Sequence, residues 1–408
     1  MDYTDLLEFW LEQINDKIYT SPYTHVLVDE VQDLTPLQLA VIKALAGPEG
    51  RWLFAIGDPD QSIYSFRGAA PDVAADLAAR WPDVSVVRLA DNYRSAQQIL
   101  DLAATVIPGT TALAGRRREA GTVQVFTAPS SASEASWVGE RVKRLLGPTS
   151  SSLVEDETGG LSPGEIAVLV RVKALIPLLE RTLDRLGVPV AVPEAEAFWL
   201  EPRVAAILRT ASRFLGMSLD ESEVLEVPEK VLVKGPLSLA AYLADIPPFD
   251  RMFWTGRAFK AFSRAFDEHS GWVGLVNWIN LQSELEQVSR RAEKVQIMSL
   301  HAAKGLEFTA VFLPALEDGI LPFAGAGFLT GKPNGEVPDV DEERRLFYVG
   351  LTRARRLLYL SLAQRREIYG REHRLAPSRF LESLPRESLE RSALVARTQR
   401  QEEQLKLI

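Results

Sequence analysis

Cysteine is absent from all 408 residues, which excludes disulfides, thiolate metal sites and a cysteine nucleophile together and fits a reducing compartment. Histidine is scarce and scattered, at His25, His269, His301 and His373, so a histidine-built metal cage is not expected. No run of about 18 uncharged apolar residues occurs, so no membrane-spanning helix is predicted. The opening MDYTDLLEFWLEQIND is acidic and lacks a basic segment followed by an apolar one, and no secretory leader is predicted from it. Positive charge is not in excess either. Lys+Arg number 46 against 55 Asp+Glu, a net charge of -9, so any nucleic acid must be held by local basic patches and not by the overall field. What is present is ordinary globular composition, 46% hydrophobic and 25% charged, in a chain long enough for about two or three domains. A soluble, cytoplasmic protein is expected.

Short apolar runs recur, each ending in polar or charged residues and leading into an amphipathic stretch. Runs at 25–28, 52–56, 84–89, 122–126, 166–170, 295–300, 310–314 and 357–362 read as strands. Segments 36–46, 95–106, 134–146, 175–186 and 202–215 read as helices. The alternation predicts an α/β architecture with largely parallel sheets, whose ligands bind outside the carboxyl ends of the strands. Residues 147–164 and 322–338, rich in Gly, Pro and Ser, read as loops. The GAGFLTG run in the second has the wrong spacing for a dinucleotide fingerprint. Residues 217–293 differ in character, being helical with Trp254, Trp272 and Trp278, and read as a separate insertion. From Arg386 the charged chain reads as a frayed terminal helix.

The chemistry concentrates at strand ends. In HVLVDEVQD an apolar strand delivers Asp29 and Glu30, with Gln32 and Asp33 directly behind. Two adjacent carboxylates there suit a nucleotide hydrolase, one holding Mg²⁺ and the other orienting or deprotonating water; an ordinary acidic loop is the alternative when the segment is taken alone. The next strand ends in GDPDQSIYSFRGA, which brings Asp58, Asp60 and Gln61 to the same sheet edge. Tyr64, Phe66 and Arg67 follow, two aromatics beside a cation, as a single-strand stacking platform needs; taken alone, they also suit a turn with core aromatics.

Together, and in this order, the two segments resemble motifs II and III of the UvrD/Rep type of superfamily 1 DNA helicases. LADNYRSAQQIL (89–100) resembles motif IV, VQIMSLHAAKGLEFTAVFLPAL (295–316) motif V, and DEERRLFYVGLTRARRLLYL (341–360) motif VI. The resemblance implies RecA-like parallel sheets and an ATP- and Mg²⁺-dependent 3'-5' helicase or translocase acting on single-stranded DNA and duplex junctions. It implies that Asp29 coordinates Mg²⁺, that Glu30 is the base for the attacking water, and that Gln61 senses the γ-phosphate. Tyr93 would stack on adenine, Arg94 would touch the γ-phosphate, Glu307 would reach the ribose, and Arg353 would be the arginine finger. Tyr64, Phe66 (where many relatives carry tryptophan), Arg67, Ser299 and His301 would meet DNA. Arg344, Arg345, Arg355 and Arg356 match no specific role and read as a solvated helix face, and Arg116–Arg118 as a solvated loop.

One expected element is missing. No G-x-x-x-x-G-K-[ST] loop occurs; the only Gly-Lys pair, Gly331-Lys332, is followed by Pro333, and proline has no hydroxyl for Mg²⁺. The expectation is therefore residues 1–90 as the C-terminal part of a first RecA-like domain, with 91–216 and 294–385 forming the second. Residues 217–293 take the place of the family's 2B insertion, and 386–408 form a charged tail. A partial first domain should leave an open sheet edge and exposed apolar surface. A truncated chain, a split enzyme whose P-loop comes from a second polypeptide, and a non-hydrolysing DNA-binding paralogue are the three readings of that gap.

Overall fold

In the computed structural model, described residues are 3–64, 73–147, 160–192, 199–217, 225–279, 294–330 and 339–394, excepting 49, 51, 82, 111, 200, 245, 247–248, 250–252 and 255. The chain divides into two compact units, Met1–Ala191 with Val295–Ile408, and Val192–Lys294.

In the first unit, β1 (Val26–Val28) and β2 (Leu53–Ala55) form a two-stranded parallel sheet. β3 (Asp91–Asn92) and β4 (Ala114–Gly115) form a shorter parallel pair. Then come β5 (Thr122–Ala128), β6 (Ile166–Val170), β7 (Val190–Ala191), β8 (Val295–Ser299), β9 (Phe308–Leu313) and β10 (Ala354–Ala363). β11 (Arg366–Ile368) and β12 (Arg371–His373) make an antiparallel hairpin, and β13 is Glu390–Ala393. Seven of these strands build one wholly parallel sheet, in the order β13-β5-β10-β9-β6-β8-β7. The α/β class with parallel sheets is thus observed.

Central strands of a parallel sheet are covered on both faces and so are apolar throughout. All five residues of β6 are buried, and Val311, Phe312, Leu358 and Leu360 are inaccessible. One face packs against the helices Gln97–Ala104 and Val340–Thr352 through Ile99, Leu102, Leu346 and Phe347. On the other, Trp137 of the helix Ser131–Leu145 stacks on Phe126 with ring centroids 4.4 Å apart. The helix Pro36–Ala46 falls where the pattern placed it, because Thr35 and Gln38 form a reciprocal capping box and Pro36 occupies the first turn.

A second kind of core lies at the far ends of β9 and β10. Arg366, 2% exposed, donates from Nη1 to Glu134 Oε2 at 2.5 Å and from Nε and Nη2 to Glu317 at 3.0 and 2.5 Å. The spare carboxylate lone pairs accept from Ala315 N–H, Ser361 Oγ and Ala363 N–H. Burial pulls the Arg366 guanidinium down, but Glu134 and Glu317 more than reverse it and hold it above the usual arginine range. Burial also raises the Glu317 carboxyl, against the pull of Arg366.

Two expectations are corrected. The apolar run 84–89 is not a strand: Val86, Val87 and Leu89 are 73%, 76% and 79% exposed, and among the described residues no strand pairs with the run to take its backbone groups. The chain after Arg386 is not a frayed helix as far as Leu394. A short 3-10 turn, Arg386–Ser388, leads into β13, which pairs in parallel with β5, and Leu394 N–H donates to Thr127 O. The unpaired edge of β5 supplies backbone partners that a solvated helix end lacks. Residues 395–408 lie outside the described residues. Leu27 in β1, Phe54 in β2 and Ile56 just after it are at least half exposed.

The second unit is helical, with Pro202–Phe214, Glu229–Leu232, Pro236–Tyr242 and Arg257–Glu268 around Phe249, Phe253, Phe259, Phe262, Trp272 and Leu275. It starts ahead of Met217 because the helix Pro202–Phe214 buries Val204, Ile207, Leu208 and Ala211 in this core.

Candidate functional site

Beyond Val28 the β1–β2 pairing continues for one more backbone bond, Val31 N–H to Ile56 O, so Asp29 and Glu30 emerge together at the carboxyl end of the sheet. Glu30 sits at φ 49°, ψ 45°, a left-handed conformation that costs a non-glycine residue about 1 kcal/mol or more. Its N–H is accepted by Asp29 Oδ1 at 2.9 Å, and its Oε2 accepts Gln32 Nε2 at 2.5 Å. Gln32 is 5% exposed and its Oε1 accepts Asp58 N–H at 3.1 Å, which ties the first acidic turn to the second. Gly57 is required there: a Cβ would lie 2.4 Å from Gln32 Oε1 and 2.6 Å from Val31 Cγ1.

The second turn, Pro59–Gln61, is capped by Asp58, whose Oδ1 accepts Asp60 N–H. Gln61 donates from Nε2 to Asp58 Oδ2 at 2.7 Å and accepts at Oε1 from Arg353 Nη2 at 3.1 Å. Its amide is therefore held between an acid and a cation. Arg353 ends the helix Val340–Thr352 and is 1% exposed. Its other donors go to Val349 O at 3.1 Å, Leu306 O at 3.0 Å and Thr352 Oγ1 at 3.4 Å. All of these acceptors are neutral, and among the described residues Arg353 has no ion pair. Burial, reinforced by neighbouring Arg94, lowers its pKa to about 10. It stays charged at neutral pH and desolvated, with Glu30 and Glu307 acting on it only at a distance and no ion pair among the described residues.

Lys304, which follows β8, crosses to both turns. Its Nζ donates to Asp33 Oδ1 and Oδ2 at 2.7 and 2.6 Å and to Gln61 O at 2.7 Å, and lies 3.8 Å from Glu30 Oε2. Burial raises the Asp33 carboxyl even so, against the lowering by Lys304. On the other side, Glu307 is gripped by Arg94 Nε at 2.6 Å and by Arg355 Nη2. The Arg355 hydrogen bond, then that of Arg94, holds the Glu307 carboxyl below its ordinary range. Asn92 Oδ1 accepts from the N–H groups of Arg94 and Ser95, and Arg117 Nη1 donates to Arg94 O at 3.2 Å. Tyr93, between them, is 75% exposed, as a stacking face must be.

Tyr64 packs against the main core and its hydroxyl donates to His301 O at 3.4 Å; the two rings lie 6.5 Å apart. Lys304 Nζ stands 5.3 Å from the centre of the Tyr64 ring. Ser299 is 6% exposed and its Oγ accepts Ala302 N–H. Phe66 and Arg67, expected on the same platform, lie outside the described residues.

The structure thus brings Asp29, Glu30, Gln61 and Arg353 to one edge, with Arg94 and Glu307 adjoining Arg353 and Tyr64 and His301 adjoining Lys304. Sequence reasoning missed the connecting groups. Gln32, Lys304, Arg345 and Arg355 all sit inside the recognised blocks, but none is given a role there. Arg345 and Arg355 are passed over because the charge run reads as a solvated helix face; instead Arg345 Nε donates to Ser62 O at 2.7 Å, Arg344 Nη1 donates to Val106 O at 3.3 Å, and Arg355 lies in β10. Arg116 and Arg117 are likewise engaged, with Asp91 and Arg94 O. Among the described residues no three acidic or histidine side chains gather as a metal cage. Asp29 alone suits an ion that binds through one carboxylate, water and phosphates.

Comparison with known proteins gives two family matches. The UvrD/REP helicase N-terminal domain matches residues 1–81, and the UvrD-like helicase C-terminal domain matches 87–213 and 256–365. The chain is 36% identical to the ATP-dependent DNA helicase UvrD2 of Mycobacterium tuberculosis, over 94% of this chain and 54% of the relative. It is 27% identical to DNA helicase II of Escherichia coli, over 98% of this chain and 65% of that one. The ATP-dependent DNA helicase Rep of Salmonella typhimurium is 26% identical, over 95% and 68%. The chain spans about half the length of its UvrD2 relatives.

Proposed function

This chain belongs to the UvrD/Rep-type helicase family, and from that premise we propose that it forms part of an ATP-dependent 3'-5' DNA helicase or translocase, contributing one side of the ATP site and a track for single-stranded DNA. Arg353 carries the reading. A guanidinium 1% exposed, hydrogen-bonded only to neutral groups and without an ion pair among the described residues, is a receptor for an incoming anion. Arginine in that position stabilises charge developing on a transferring phosphoryl group.

We assign the roles that the resemblance implies, each supported by the contacts named. Glu30, fixed by Gln32 and close to Lys304, accepts the proton of the attacking water. Gln61, bridging Asp58 and Arg353, orients that water and reports γ-phosphate occupancy to the Tyr64 segment. Arg94 turns to phosphate from Glu307, which Arg355 retains while Glu307 meets the ribose. Tyr93 stacks on adenine. Asp29 would hold Mg²⁺, which when bound would offset phosphate charge. Tyr64, Phe66, Arg67, Ser299 and His301 meet single-stranded DNA at a duplex junction.

Phosphoryl transfer is mostly positioning, and these 408 residues contain no P-loop, so hydrolysis requires one supplied from outside them. The test is binding of labelled oligo(dT), together with DNA-stimulated phosphate release by the chain and by Glu30→Gln, with and without a P-loop-bearing polypeptide. The expected outcome is salt-sensitive DNA binding, negligible turnover alone, and turnover on addition that Glu30→Gln abolishes. Robust turnover alone, lost in Glu30→Gln, overturns the need for an added P-loop. Binding with no turnover under either condition favours a non-hydrolysing paralogue.

A further inference from the structure

Three cations grip consecutive acceptors on one short segment. Arg353 Nη2 donates to Gln61 Oε1, Lys304 Nζ to Gln61 O, and Arg345 Nε to Ser62 O. Two of these cations belong to one rigid element: Arg345 lies within the helix Val340–Thr352, about two turns before Arg353 at its end. A shift of Arg353 toward phosphate therefore moves the anchor of Ser62 with it. Ser62 has little freedom of its own, being 7% exposed with its Oγ donating to Gln32 O at 3.2 Å, and Ile63 is wholly buried. Tyr64 comes next. Arg345 is half-buried, and among the described residues its one hydrogen bond is the one to this carbonyl.

We infer that Arg345 is a positioning residue for DNA binding: through the Ser62 carbonyl it sets the height of Tyr64 on the single-strand platform and transmits movement of the Arg353 helix to it. The inference rests on the reading of Tyr64 as a DNA-stacking group. Arg345 is not itself a phosphate contact, and this separates it from an ordinary basic patch.

The experiment measures oligo(dT) affinity across a salt series for the full chain, Arg345→Met, Arg345→Lys, Tyr64→Leu and the Arg345→Met/Tyr64→Leu double variant, with thermal melts for each. Arg345→Met is expected to weaken binding about five- to ten-fold, the loss of one stacked base, with an unchanged salt slope. Arg345→Lys, which keeps a donor, recovers most of the affinity. In the Tyr64→Leu background Arg345→Met should have no further effect, since one variant acts through the other. A salt slope lowered by about one would make Arg345 a phosphate contact and overturn the inference, as would additive losses, or unchanged affinity in Arg345→Met where the wild-type chain binds. Failure of the wild-type chain to bind oligo(dT) overturns the functional reading instead. If Arg345→Met melts below the assay temperature, Arg345→Lys and Arg345→Gln decide the same comparison.

Discussion

Two arginines of this protein are equally buried and have opposite surroundings. Arg366 is 2% exposed and meets two carboxylates with three of its nitrogens; Arg353 is 1% exposed and meets carbonyls, a hydroxyl and an amide. Their ionisation diverges accordingly, upward at Arg366 under its carboxylates and down to about 10 at Arg353 under burial. A buried charge that is fully paired serves the fold, whereas one with no ion pair among the described residues is costly by itself, a cost that an incoming anion would offset. The difference is what supports the proposal that Arg353 meets a ligand.

Substitutions sharpen that contrast. The largest effect is expected at Arg366→Met, which leaves the Glu134 and Glu317 carboxylates buried together and should lower unfolding free energy by about 3–5 kcal/mol in urea titrations. A loss below about 1 kcal/mol there would break the comparison. Lys304→Met is intermediate, because it strands one half-buried carboxylate, Asp33; about 2 kcal/mol is expected. Since the folded Asp33 value already lies above 3.8, its contribution is fully present below that value and fades as pH rises through the folded one. Lys304→Met should steepen this decline.

Arg353→Met should cost only about 1 kcal/mol in stability, since it removes neutral hydrogen bonds and an unpaired charge together, while lowering kcat about 10³-fold once a P-loop is supplied. The reverse pattern, large destabilisation with kcat retained, would move Arg353 into the class of Arg366. The smallest effect belongs to the more open pairing of Glu307 with Arg94 and Arg355. Its folded value is depressed below 4.5, so the stabilisation is present above that value and is lost as pH falls through the folded one. Glu307→Gln should flatten this acid limb by less than about 1 kcal/mol.

Much of the fold was legible in residue order. β6 and the helix Pro36–Ala46 coincide with their predicted spans, because continuous apolar runs and a capping box are local signals. Residues 84–89 are also rich in apolar residues yet form no strand, and β13 is a strand with four exposed positions and no apolar pattern. In both cases pairing decided, and pairing depends on what lies alongside.

At the site, the sequence by itself determined which chemistry is carried: acids at strand ends, an amide between them, arginines in the last motif. Those identities are written in short contiguous blocks. Only the tertiary structure decided which charges find partners. Residues hundreds of positions apart, such as Gln61 with Arg353, Asp33 with Lys304 and Glu134 with Arg366, meet because parallel strands deliver their ends to common edges, and desolvation there sets the charge balance that no local pattern encodes.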